Sequence, residues 1–213
     1  MLPVADPQMK RRSQTAKKRL VLFDFDGTIT GKDTLAEIMI YYRGSLRYRL
    51  GLIALAPILA LYLLKLIPNW KAKQILLGWF FKGENEKIFN KRCTEFSLKV
   101  IPTLIRPKAL EMINHYKATG ATVAVVSASA ENWVKPWCDR LGLTCLATKL
   151  EVSKQTVTGR IAGKNCHGSE KVCRITEKFA LGEFDEIIAY GDTPGDREML
   201  ALAHQQFYKP FRN

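Results

Sequence analysis

Apolar positions along this chain follow two rhythms, and the change from one to the other divides it. Short continuous runs, which mark strands buried on both faces of a parallel sheet, occur at Val21–Phe23, in ATVAVVSAS ending at Ser127, and over Glu186–Tyr190. Between the first two lies a long stretch with helical spacing and no strand pattern. Asp33 stands at a helix N-cap position, and Leu35, Ile38, Met39 and Tyr42 follow at helical intervals, so a helix is predicted from about Thr34 to Arg43. Ile75, Leu76, Trp79 and Phe80, then Ile88, Phe89, Cys93 and Phe96, continue that rhythm as candidate core. Further on, strand and helix alternate. A helix runs from Pro107 to Thr119 and ends at Gly120, another begins near Ala130, Cys145–Ile161 alternates around a Thr-Gly turn as a β-hairpin, and a helix begins near Ser169. The expected fold is α/β: a Rossmann-like parallel sheet built from 20–32 and 105–213, with a helical insertion at 33–104. Pro102 and Pro107 mark the return from it.

Inside the insertion, RGSLRYRLGLIALAPILALYLLKLIPNW holds an uncharged apolar stretch from Leu50 to Leu64 with Pro57 in its middle. It is shorter than the roughly 20 residues a helix needs to cross a bilayer. Two readings stay open. One is a pair of buried helices broken at Pro57. The other is a partly exposed hairpin in a membrane interface, making peripheral contact through 43–73. In that reading Arg43, Arg47, Arg49, Lys65, Lys71 and Lys73 lie at headgroup level, with Tyr62 and Trp70 as interfacial aromatics.

The 213 residues are 47% hydrophobic, enough for a sizeable core, which excludes disordered and collagen-like classes. A formal net charge of +13 attracts phosphorylated substrates, anionic lipid or nucleic acid, without choosing among them. Lys10, Arg11, Arg12, Lys17, Lys18 and Arg19 crowd a polar arm over 1–19 that lacks the apolar centre of a secretory signal. It reads as a solvated arm, or as a polybasic patch for anionic membrane or RNA. Five cysteines without C-x-x-C spacing indicate neither a disulfide framework nor a zinc site, and fit a reducing compartment.

Candidate chemistry gathers at the strand ends. Asp24 and Asp26 follow the first apolar run with one residue between them, so in an extended segment both carboxylates face one pocket. Two such charges need compensation, and a hard divalent cation, most simply Mg2+, supplies it. Gly27 allows a sharp turn, and Thr28 adds a hydroxyl. Ser127 ends its strand where open α/β sheets bind ligands. Lys171 lies in the first turn of a helix, where the dipole disfavours a cation, which points to a ligand role; Lys164 is the alternative. Cys166 and His167 also admit a metal or Cys-His nucleophile reading. Asp192 and Asp196, four apart after Gly191, stand where they can share a cation with Asp24.

In order, VLFDFDGTIT, the strand ending at Ser127, the helix carrying Lys171, and GDTPGD resemble motifs I to IV of the haloacid dehalogenase (HAD) superfamily. The resemblance covers nearly the whole chain from Leu20 to Ala203. It implies the HAD fold, with 33–104 as a helical C1-type cap between motifs I and II. It makes Asp24 the nucleophile that forms an aspartyl-phosphate and Asp26 the general acid and base. Ser127, Lys171 and Thr28 would bind phosphate. Mg2+ would be held by Asp24, Asp26 (through its backbone carbonyl) and Asp192, with Asp196 in support. An acid at Asp26 favours phosphatases over the dehalogenase and ATPase branches. VSAS and N-C-x-G-x-E-K are similar to subfamily IB, which includes phosphoserine phosphatases and phosphatidylglycerophosphatases of the C type. Asp33 stands where phosphoserine phosphatases place a longer Glu for the substrate's amino group, and this chain lacks their S-G-G. The apolar, basic-flanked insertion favours a lipid phosphate such as phosphatidylglycerophosphate. Soluble phosphoserine is the alternative, and an idle membrane- or RNA-binding module a further one. A cytoplasmic protein, peripheral at the inner membrane face and without a nucleic-acid partner, is expected.

Overall fold

The computed structural model describes residues 17–212. Of the basic arm, residues 1–16 lie outside the described residues. Its last members meet the sheet: Lys18 Nζ pairs at the surface with Glu183 at 2.7 Å, and Arg19 opens the first strand rather than ending the arm. The elements run β1 (Arg19–Phe23), α1 (Thr34–Arg43), α2 (Ser45–Ala54), α3 (Ala56–Leu63), α4 (Asn69–Phe81), α5 (Glu86–Lys99), α6 (Ile101–Leu104), α7 (Pro107–Ala118), β2 (Thr122–Ala130), α8 (Glu131–Leu141), β3 (Thr144–Thr148), β4 (Leu150–Ser153), β5 (Thr156–Ile161), α9 (Ser169–Lys178), β6 (Glu186–Gly191), α10 (Arg197–Ala201) and β7 (Gln205–Tyr208).

Five strands form a parallel sheet in the order β3-β2-β1-β6-β7. β1 is central, which is why its side chains from Leu20 to Phe23 are wholly buried. Alternate residues serve opposite layers. Val21 and Phe23 pack with Ile113, Tyr116 and Trp133 on one face, while Leu20 and Leu22 pack with Ile175, Met199 and Leu200 on the other. Helices therefore cover both faces, as a parallel sheet requires.

Two strands escaped the hydrophobic pattern. β7 exposes all four of its residues and carries no apolar run, and β3 is only partly buried. The hairpin is β4–β5, later than the start of the alternating segment. It turns at Lys154–Gln155, both with positive φ, and not at Thr158-Gly159. Gly159 instead lies against Gly78 of α4, where a Cβ would come within 2.4 Å of Gly78 Cα. Together with Ile161 N–H donating to Gln74 Oε1 at 2.9 Å, this ties the hairpin to the inserted helices.

Met39, Tyr42, Phe81, Phe89, Cys93 and Phe96 of the insertion pack into one hydrophobic cluster that continues to Phe23, Phe25 and Trp133 beneath the sheet. Trp79 and Ile88, expected in the core, are exposed; Leu77 and Phe81 are buried instead. α2 and α3 meet at Leu55 with a bend of 66°, and Pro57 sits in the first turn of α3, where its missing N–H costs no helical bond. The buried-pair reading of this stretch does not hold. α2 buries only Gly51, which lies against Phe80 and Trp79, and α3 buries nothing. Among the described residues no single helix is long and apolar enough to cross a membrane.

Candidate active site

The carboxyl ends of β1, β2 and β6 meet the first turn of α9 at a cleft of about 940 Å³, which α1, α3 and α4 close from the other side. Asp24 leaves β1 with its N–H donating to Tyr190 O at 2.8 Å, so its carboxyl continues the strand into the cleft. The turn that follows needs Gly27. Its φ is +83°, and a Cβ there would fall 2.3 Å from Asp192 Oδ2. This close approach brings Thr28 Oγ1 to 3.3 Å from both Asp24 Oδ2 and Asp192 Oδ1.

Lys171 organises the charges. Fully buried in the first turn of α9, its ammonium donates to Asp24 Oδ1 at 2.6 Å, Asp196 Oδ1 at 2.7 Å and Val126 O at 2.7 Å. Asp196 Oδ2 accepts from Asp192 N, Thr193 N and Thr193 Oγ1 at 2.8–3.1 Å, so both its oxygens are engaged and it fixes the loop after β6. Asp24, Asp192 and Asp196 each offer an oxygen within 4.8 Å of the others. Lys171 pairs with Asp24 and Asp196 and Arg212 pairs with Asp192, so two cations face three carboxylates. Burial raises the Asp24 carboxyl to about 7, with Lys171 opposing and Asp196 and Asp26 adding to the rise. Burial likewise raises Asp192, reinforced by Asp196 and eased by Arg212. Burial also acts upward on Asp196, but Lys171 and Thr193 outweigh it and hold that carboxyl low. Lys171 is raised, because Asp24 and Asp196 overcome the burial that disfavours its charge. An all-oxygen set with surplus negative charge suits a hard divalent cation.

Asp26 shares the cleft but has different company. Its Oδ1 accepts from Thr34 N at 2.7 Å and its Oδ2 from Ser129 Oγ at 2.6 Å. Its carboxylate therefore lies outside the three-aspartate cluster, leaving only its backbone carbonyl for the cation role expected of it. Thr34 Oγ1 also meets Ser129 Oγ at 3.2 Å and accepts from Trp133 Nε1 at 3.1 Å, so α1 and α8 both hold Asp26 in place. Ser129 was not among the expected site residues. Ser127 does not line the cleft: its Oγ is buried and accepts from Ser129 N at 2.9 Å. Asp33 caps α1, accepting from Leu35 N at 2.8 Å, and also lines the cleft. Burial and the neighbouring Asp26 raise its carboxyl.

Lys73 is the clearest correction. Placed at headgroup level in the membrane-interface reading, it is 8% exposed and enters the cleft from α4, donating to Ala128 O and, at 3.4 Å, to Asn165 Oδ1. Burial lowers it to about 8, against the pull of Asp26 and Asp33. A lysine between Ala72 and Leu76–Leu77 in an apolar helix was the available sequence clue. Arg212, which pairs with Asp192, had none. Lys164 lines a neighbouring cavity and not this cleft, leaving Lys171 at Asp24. The Cys-His reading fails, since burial pushes the Cys166 thiol up to about 11 and its Sγ faces Leu146 O. Among the described residues the three aspartates are the only His/Cys/Asp/Glu group placed to hold a metal.

A family model described as haloacid dehalogenase-like hydrolase matches residues 21–201. The chain belongs to this family. The HAD protein is 35% identical over 195 residues to protein CicA of Caulobacter vibrioides, covering 91% of this chain and 86% of that one. Among solved structures it resembles a Bordetella pertussis protein of unknown function, with a TM-score of 0.77, 23% identity and 89% of each chain covered. It also resembles a phosphoserine phosphatase captured as a phospho-aspartyl intermediate analogue, with a TM-score of 0.60, 25% identity, and 89% and 85% covered. Its enzyme class is that of an HAD-type phosphatase.

Proposed function

We propose that this HAD phosphatase hydrolyses a phosphate monoester through an aspartyl-phosphate on Asp24, with Mg2+ as cofactor, and that its substrate is a lipid phosphate such as phosphatidylglycerophosphate. The observation that carries the chemistry is the division of labour between two carboxyls. Asp24 sits on Lys171, while Asp26 sits on Thr34 and Ser129, both at one cleft. In the first step an Asp24 oxygen bonds to phosphorus, the ester P–O bond breaks, and Asp26 gives its proton to the leaving alkoxide. In the second, Asp26 takes a proton from water, the hydroxide oxygen bonds to phosphorus, and the Asp24–phosphorus bond breaks to release phosphate. Lys171 offsets the charge on Asp24 and the phosphoryl oxygens throughout. Asp24, the Asp26 backbone carbonyl and Asp192 would hold Mg2+, which when bound neutralises phosphoryl charge, with Asp196 supporting through Lys171.

The lipid reading is supported by the cleft wall. Leu59 and Tyr62 of α3 line it together with Leu35 and Leu76, giving an apolar side next to the carboxyls. Phosphoserine is the second reading, favoured by the likeness to a phosphoserine phosphatase and by Asp33 in the cleft. Phosphate release with phosphatidylglycerophosphate in vesicles and with phosphoserine separates the two. The expected result is Mg2+-dependent release, abolished by EDTA and restored by Mg2+, with the lipid preferred at least about tenfold in kcat/KM. Preference for phosphoserine overturns the lipid assignment, and release that ignores EDTA overturns the cofactor.

Lys73 in this reading meets an anionic group of the substrate. Lys73→Met is expected to raise KM about tenfold with kcat within about twofold, the size of one charge-assisted hydrogen bond. The sign with pH follows from its lowered value. Below about 8 the side chain is a cation that binds the anion, and above it the ammonium is lost, so wild-type KM rises through that range. The difference between wild type and variant should close above pH 9, and a constant difference from pH 7 to 10 excludes this role.

A further inference from the structure

α2 and α3 present apolar side chains that no described part of the chain covers. Leu46, Leu50 and Ile53 recur at i, i+4 and i+7, one face of α2, and all are exposed, Ile53 to 70%. Leu61, Leu63, Leu64 and Leu66 extend this surface along α3 and beyond, Leu63 to 77%, and Trp70 at the foot of α4 is half exposed. Contiguous apolar surface of this kind marks an interaction site, unlike scattered single residues.

The charge around it has one sign. No Asp or Glu stands between Glu37 and Glu84. Arg47, Arg49, Lys65 and Lys71 are exposed, and among the described residues none of them forms an ion pair. An apolar ridge rimmed by unpaired cations complements an anionic bilayer, whose acyl region takes the leucines while its phosphates meet the arginines and lysines. A second copy fits worse, because pairing the same faces would bring these cations together. Neither helix is long enough to span alone, and the pair, whose combined length and composition would suit a span, is bent by 66° at Leu55, a shape that can lie within the interface. Leu59 and Tyr62 of α3 line the catalytic cleft, which sets the ridge and the cleft mouth on one side of the protein.

We propose that α2–α3 docks the protein on an anionic lipid bilayer as a shallow wedge, with the catalytic cleft opening at headgroup level. This extends the lipid-phosphate reading above, and its test is kept apart from turnover. Full-length protein is floated with vesicles of phosphatidylglycerol and phosphatidylcholine, and with phosphatidylcholine alone. Wild type should float with the anionic vesicles. Ile53→Glu/Leu63→Glu should lower that partition at least about tenfold, and Arg47→Gln/Arg49→Gln or higher salt severalfold. Hydrolysis of soluble p-nitrophenyl phosphate should be unchanged in both variants, which shows they are folded. Wild type that stays with the soluble fraction, or variants that float as well as wild type, overturn the proposal. So does a wild-type dimer by light scattering that the glutamates dissolve without any flotation. Flotation by a protein that hydrolyses no phosphomonoester keeps the docking and removes the function reading; hydrolysis of phosphatidylglycerophosphate in detergent without flotation does the reverse.

Discussion

Asp24→Asn is expected to lower kcat for any phosphomonoester by at least about 10^4-fold, because the group that forms the covalent intermediate is gone while the rest of the site stays. The substitution is close to isosteric. The Asn carbonyl can still accept from Lys171, which now holds Asp24 at 2.6 Å, so the site keeps its shape. Burial already raises the Asp24 carboxyl to about 7, so the fold tolerates that charge at a cost, and a neutral amide relieves it. The thermal midpoint of the variant without metal should therefore equal or exceed that of wild type. Activity above about 1% of wild type, with Mg2+ dependence intact, would place the nucleophile elsewhere.

Lys171→Met has a different signature, losing both turnover and stability. Removing the ammonium strands Asp24 and Asp196 in a buried site, and breaking such an ion pair costs about 3–5 kcal/mol at neutral pH. The pH dependence separates this from a packing defect. Asp196 now titrates below the ordinary carboxylate range, so its ionised form stabilises wild type above that range, and the contribution fades as pH falls through its lowered value. Without Lys171 both carboxyls are raised. Their penalty is then largest at neutral pH and disappears as they protonate on acidification. Urea unfolding in EDTA should show the deficit near pH 7 shrinking toward pH 4. A deficit independent of pH would mean that the lysine stem, and not its charge, was stabilising.

Much of the fold was readable because its signals are local. Buried strands need apolar runs on both faces, so β1, β2 and β6 showed themselves, and Asp33 marked the start of α1 through its cap. β7 did not, since an exposed edge strand has no core to face. The Thr-Gly pair misled because glycine serves turns and close packing alike, and Gly159 does the second, against Gly78. The grouping of Asp24, Lys171, Asp192 and Asp196 was legible because each stands at a strand end or helix start with an acid or base out of place for mere solubility. Ser129, two residues after Ser127 in the same strand, had no separate signal for its contact with Asp26. β2 shifts register against β3 between Ser127 and Ala130, the segment that carries Ser129 to Asp26.

By itself the sequence determined the parallel α/β plan, the position of the helical insertion and the acidic ends of the strands, since these depend on periodicity and on residues a few positions apart. Only the tertiary structure decided three further things. Lys73 turns into the cleft and not toward a surface, because α4 packs its apolar face on the hairpin and core and carries the lysine inward. Arg212 meets Asp192 across a separation of 20 residues. Most of the apolar stretch of α2 and α3 stays exposed, because burial depends on what packs against a helix from elsewhere in the chain, and here only Gly51 of α2 and Leu55 at the bend are buried.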